Sequence, residues 1–194
     1  MPLPPPPAQF NSRTPTLTIS PAVIEYCIPT ANSQPLYIAA GPDRALWFTE
    51  NNGNKIGRIT TSGVVTEYVV PTVLSQSFDI TAGPDGAPWF TESGGDKIGR
   101  ITTSGTITEF TLPTFGLFRL PYGITAGPAG ALWFTENAAE QIGRITTAGA
   151  ISEFPVGGSS SPHSITTGPD GATESGSNKI GRMALWFQTL AQDP

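Results

Sequence analysis

Residues 83–92 read Gly-Pro-Asp-Gly-Ala-Pro-Trp-Phe-Thr-Glu, and close variants begin at Gly41, Gly127 and Gly168. The successive intervals are 42, 44 and 41 residues, the spacing of solenoid and propeller repeats. Two other markers keep step with it. Ile-Gly-Arg ends at Arg58, Arg100, Arg144 and Arg182, and Glu followed by an aromatic ends at Tyr68, Phe110 and Phe154. The same pair occurs at Glu25-Tyr26, 42 residues before Tyr68, so residues 22–30 are expected to supply an extra outer strand. Residues 1–17 match no repeat and read as a Pro-rich disordered or extended tail.

Each unit divides into four short strand candidates bounded by turn residues. In the second unit they span 78–82, 87–92, 97–103 and 106–112. Pro84-Asp85-Gly86 offers a fixed φ, a side-chain acceptor and a positive-φ position, and Gly94-Gly95 and Ser104-Gly105 suit tight hairpins. No helix is needed. The expectation is an all-β fold over residues 18–194: a β-propeller of four-stranded antiparallel blades, about four here, with units near 36–70, 78–112, 122–156 and 163–194.

Composition agrees. Gly (22) and Pro (20) exceed a fifth of the 194 residues, which favours many turns over a helical bundle. Only 13% of residues are charged, so Ser, Thr, Asn and Gly must cover much of the surface. A net charge of −5 gives no attraction for phosphate backbones or anionic lipid, so neither nucleic acid nor a membrane surface is an expected partner. Cys27 has no second cysteine to pair with and is expected to be a small packing residue. The start, Met1-Pro2-Leu3-Pro4, lacks the basic head and apolar body of an export signal, which favours the cytoplasm.

Trp47-Phe48, Trp89-Phe90 and Trp133-Phe134 place two large rings on opposite faces of each second strand, so that one sheet touches both neighbours. Arg58 with Glu50, and Arg100 with Glu92, are expected to form ion pairs between strands or blades. Asp43, Asp85 and Asp170 each stand alone in a turn and read as caps rather than calcium ligands. The fourth unit departs from the others. It lacks Leu-Trp-Phe between Ala172 and Thr173, and a lone Ala184-Leu185-Trp186-Phe187 follows Arg182. No nucleophile elbow, phosphate loop or Cys/His cluster occurs.

The combination Pro-His-x-Ile-x-x-Gly-Pro-Asp-Gly, Trp-Phe-Thr-Glu, Lys-Ile-Gly-Arg-Ile and Thr-Glu-Phe resembles the repeats of the virginiamycin B lyase (streptogramin lyase) family across residues 22–183. The resemblance implies a seven-bladed propeller of roughly 290 residues, of which this chain spans about four repeats. It further implies a lyase that opens a cyclic depsipeptide antibiotic by elimination at its threonyl ester, with Mg²⁺ at one mouth of the channel. The Pro-His-x-Ile position is occupied in turn by Leu36, Phe78, Tyr122 and His163, and His163 is the sole histidine. The resemblance therefore nominates His163 and Glu174 as the catalytic pair. The family's second histidine falls on Tyr122, and its metal-binding glutamate falls on Ser161, a weaker ligand for a hard cation.

In the intact units the mouth residue and the Glu of Phe-Thr-Glu are 14 apart, whereas His163 and Glu174 are only 11 apart. A loss of three residues puts Glu174 on the opposite sheet face unless the turn absorbs it. Tyr37, Asp79 and Tyr122 lie near the inner strand starts and are expected to line a ligand funnel. Two functions follow. One is a streptogramin-lyase-like enzyme acting on a cyclic peptide or lactone with Mg²⁺. The other is a non-catalytic propeller that binds or interacts. Open blade faces carrying Trp and Phe predict self-association.

Overall fold

The structure, a computed structural model, describes residues 23–113, 118–157, 160–168, 171–176 and 179–182, with side chains up to residue 168. The tail at 1–17, the turn at Asp170 and the Trp186 segment lie outside the described residues. Blade 1 comprises β1 (Pro35–Ala40), β2 (Leu46–Glu50), β3 (Lys55–Ile59) and β4 (Val65–Val69). Blade 2 comprises β5 (Ser77–Ala82), β6 (Pro88–Glu92), β7 (Lys97–Ile101) and β8 (Ile107–Thr111). Blade 3 comprises β9 (Pro121–Gly127), β10 (Ala131–Glu136), β11 (Gln141–Thr146) and β12 (Ile151–Pro155). A fourth sheet holds β13 (Ser164–Gly168), β14 (Gly171–Gly176) and β15 (Lys179–Arg182).

Each sheet is an antiparallel meander in chain order, and the innermost strands lie side by side in the sequence β1, β5, β9, β13. This is the propeller arrangement that the repeat predicts. Between blades the aromatic alternation works as expected. Phe90 packs with Trp47 and Ile56 of blade 1, while its neighbour Trp89 packs with Leu132 and Phe134 of blade 3. Trp47 and Trp89 are fully buried, and each such ring removes about 150–250 Å² from water, a contribution of several kcal/mol per blade.

The glycine of Ile-Gly-Arg has a packing cause. Gly99 pairs across the ladder with Phe90, whose ring lies over it, and any Cβ there would collide with that ring. Gly105 adopts φ 92° at the β7–β8 turn and carries the ring of Tyr68 from blade 1.

Several expectations are corrected. Residues 23–28 form no strand, yet Tyr26 covers Gly63 as Tyr68 covers Gly105, so the segment holds the place of an outer strand without its ladder. Cys27 is exposed rather than packed. At Gly94-Gly95 the left-handed residue is the following Asp96 (φ 51°). These glycines instead admit the Leu74 carbonyl and the Thr72 side chain.

Arg58 and Arg100 do not meet Glu50 and Glu92. They pair with Asp43 and Asp85 in the preceding hairpins, at 2.7 and 2.6 Å. The register explains this, because Arg58 lies opposite Trp47 whereas Glu50 lies opposite Lys55 at the far end of the strand.

The shortened fourth unit is resolved by register. Ile165 pairs with Glu174, as Ile80 pairs with Phe90 and Ile124 with Phe134. The hairpin absorbs one of the three lost residues and the strand slides by the other two. Glu174 therefore stands in the row of the phenylalanines, and Gly176, opposite Lys179, stands in the row of Glu50, Glu92 and Glu136.

Candidate functional site

The inner strands all start at one end of the row of blades, the mouth. Two residues before each mouth position the backbone turns left-handed, at Gln34 (φ 53°), Gln76 (47°), Leu120 (49°) and Ser161 (38°). The chain then enters the strand, and the rings of three successive blades and His163 meet. Phe78 is the hub. Its ring centroid lies 5.1 Å from Tyr37, 4.7 Å from Tyr122 and 5.5 Å edge-on from His163, and Tyr122 lies 4.9 Å from His163. Tyr37 and His163 are exposed, whereas Phe78 and Tyr122 are half-buried.

A threonine relay holds these positions in place. Thr49 Oγ1 donates to the carbonyl of Phe78 (2.9 Å) and accepts from the N–H of Tyr37 (3.2 Å). Thr91 does the same between Asp79 N–H (3.0 Å) and the Tyr122 carbonyl (2.7 Å), and Thr135 between Gly123 N–H (2.9 Å) and the His163 carbonyl (3.1 Å). All three hydroxyls are buried, so each bond forms away from competing water. The Gly123 N–H also donates to the His163 carbonyl (3.1 Å), and Asn137 Nδ2 donates to the carbonyls of Ser161 and Pro162 (3.0 and 3.2 Å). The backbone of His163 is thus fixed while its imidazole faces solvent. Its Nδ1 lies 3.4 Å from Ser164 Oγ.

The predicted residues are therefore only partly brought together. Tyr37, Tyr122 and His163 join one ring cluster around Phe78. Asp79 borders it, but its carboxylate oxygens accept from the N–H groups of Ile80 (2.8 Å) and, across the blade boundary, Ile124 (2.9 Å). Burial pushes the Asp79 carboxyl up to about 6 against the lowering effect of those two bonds. Glu174 belongs to the middle strand of its sheet, opposite Ile165, two residues on from His163. The threonine relay was legible only as a recurring Thr in Trp-Phe-Thr-Glu, to which the sequence reading gave no role.

A magnesium ion takes about six hard oxygen ligands. Among the described residues no three His, Cys, Asp or Glu side chains gather as a metal site. Ser161 is exposed and neutral, and both oxygens of Asp79 are held by amides. This donor set does not fit a magnesium ion.

Comparison with known proteins bears on the whole constellation. The sequence model of the virginiamycin B lyase family matches residues 9–189. A selenomethionine-substituted virginiamycin B lyase from Staphylococcus aureus is 47% identical with a TM-score of 0.80, over 82% of this chain and 55% of the other. A streptogramin B lyase is 39% identical with a TM-score of 0.76, over 84% and 58%. A catalytically inactive virginiamycin B lyase from Staphylococcus aureus, solved with quinupristin, is 41% identical with a TM-score of 0.76, over 84% and 59%. The chain spans a little over half the length of these relatives. With the repeat markers, the blade topology and this match over nearly the whole sequence in agreement, the chain belongs to the virginiamycin B lyase family.

Proposed function

We propose that this protein is a streptogramin-B-lyase-type propeller that takes a cyclic depsipeptide or lactone at the mouth lined by Tyr37, Phe78, Tyr122 and His163, and that His163 is the base for ring opening. The observation that carries this reading is the convergence of rings from successive blades on the sole histidine. A macrocycle lays an apolar face on such a wall, and a backbone-fixed imidazole at its edge is placed to take a proton. In the elimination, the α-proton of the threonyl residue passes to His163 and the Cβ–O bond breaks. The electron pair leaves with the carboxylate and a Cα=Cβ double bond forms. Water is not consumed, so the product has the mass of the substrate.

A second reading, binding without turnover, is favoured by one observation: Tyr122 and Ser161 stand where the family pattern has a histidine and a glutamate. Incubating the chain with quinupristin, with and without added Mg²⁺, separates the two. Chromatography with mass detection is expected to show an isobaric, ring-opened product that H163A does not form. Calorimetric binding without that product selects the second reading. Neither binding nor product defeats both.

A further inference from the structure

Four positions made equivalent by the repeat, Ser33, Ser75, Arg119 and Ser160, lie three residues before the mouth residue of their blade, and all four are buried. Arg119 is the one large member. A second equivalent set opens the third strand of each sheet: Lys55, Lys97, Gln141 and Lys179. Blade 3 departs here too, in the opposite sense, losing a cation on the strand where it gains one before the mouth.

The geometry connects the two departures. In blades 1 and 2 the lysine ammonium donates to Glu67 and Glu109 at 2.8 Å and to the hydroxyls of Thr30 and Thr72 at 2.5 Å. These pairs sit beside the fully buried Glu50 and Glu92. In blade 3 the cation is a guanidinium from the segment before the inner strand. Arg119 Nη1 donates to Gln141 Oε1 at 2.8 Å and lies 3.4 Å from Glu136, and Nη2 lies 3.6 Å from Glu153. Nε and Nη2 both donate to the Pro113 carbonyl, at 3.1 and 2.5 Å. The N–H groups of Arg119 and Leu120 donate to Asp96 of blade 2 at 2.8 and 3.0 Å. Two acids, Glu136 and Glu153, therefore face one cation, while Asp96 holds the backbone that carries it.

A buried acid cluster without a cation is costly, and two cations in one small site repel. Ser with Lys supplies one cation, and Arg with Gln supplies one. Ser with Gln supplies none, and Arg with Lys supplies two. We infer that Arg119 and Gln141 are a compensating exchange, in which the counter-ion that strand three supplies in blades 1 and 2 is supplied in blade 3 by the segment leading into Tyr122. Arg119 is accordingly a positioning residue for the mouth: it anchors the segment whose next ring, Tyr122, packs on His163.

The test is a double-mutant cycle on the full chain with R119S, Q141K and R119S/Q141K. R119S is expected to lower Tm by roughly 5–10 °C, as removal of one partner from a buried ion pair does at this size. Q141K lowers it less, and the double variant recovers at least half of the R119S loss. Because His163 is the sole histidine, its imidazole C2–H resonance is a single marker of the mouth. Well below unfolding, that resonance is expected to shift in R119S and return in the double variant. Additive losses, or a Q141K protein more stable than the parent, overturn the exchange. An unmoved resonance in R119S overturns the positioning role. Should R119S fail to fold, a folded double variant is the recovery, and an unfolded one refutes it.

Discussion

Asp43 and Asp85 show how much one turn carboxylate can organise. Each accepts from the indole N–H of the Trp four residues on, at 3.0 and 2.9 Å, and each pairs with the Arg of Ile-Gly-Arg. Burial alone would raise these carboxyls, but the indole and guanidinium bonds outweigh it and hold both below the usual range. Blade 3 has Ala129 at this place, with φ 58°, and the buried indole N–H of Trp133 has no hydrogen-bond partner among the described residues. Arg144 lies 5.9 Å over the Trp133 ring, as Arg58 lies 5.8 Å over Trp47, but no turn carboxylate joins the two. A left-handed alanine is strained, whereas aspartate tolerates that region better. A129D is therefore expected to give Trp133 and Arg144 a shared acceptor and to raise stability by about 1 kcal/mol, or about 2–4 °C in Tm. Scanning calorimetry showing no rise would remove the claim that the missing carboxylate matters.

At the scale of the strand, the recurring feature is the glutamate that ends β2, β6 and β10. Glu50, Glu92 and Glu136 are fully buried and their carboxyl oxygens have no hydrogen-bond partner among the described residues. Desolvation, reinforced by the neighbouring charge of Glu67, Glu109 or Glu153, pushes them up to about 7, 8 and 7 despite nearby Lys55, Lys97 or Arg119. The folded state then binds protons that the unfolded chain releases near 4.5, so stability falls as pH rises from there through about 8. E92Q keeps the shape and stays neutral. It should come within about 1 kcal/mol of the parent at pH 5 in urea unfolding and exceed it at pH 9 by a few kcal/mol, with a ceiling of about 5 kcal/mol set by the gap between 4.5 and about 8. Parallel losses in the two proteins would mean that Glu92 does not titrate in this window. The strand and its Glu were legible from the repeat, but the Glu's surroundings were not. Alternation along a strand says nothing about which end of the neighbouring strand a residue meets, and the hairpin reach decided that Arg100 serves Asp85.

For the molecule as a whole, blade order leaves one face unlike the rest. Ile80 in blade 2 and Leu132 in blade 3 are buried by the preceding blade, at 4% and 0% exposure, whereas their blade 1 equivalents Ile38 and Leu46 are 60% and 45% exposed. Ile38 borders an open apolar groove of about 290 Å³ formed with Tyr26, Ile28 and Phe48. This chain is predicted to self-associate at micromolar concentration through that face, and the I38K/L46K variant to sediment as a smaller species than the parent. A parent that is monomeric at all concentrations would dismiss the idea.

What the sequence determined by itself was the repeat, the four-strand meander and the aromatic pair on each second strand. These are properties of period and alternation, local enough to survive without coordinates. Only the tertiary structure decided that Phe78 gathers Tyr37, Tyr122 and His163, that buried threonines tie Phe78, Tyr122 and His163 to the preceding blade, and that Glu174 slid into the phenylalanine row. Those depend on register and on contact between blades, where side chains some forty residues apart meet because both sheets must bury their rings at once.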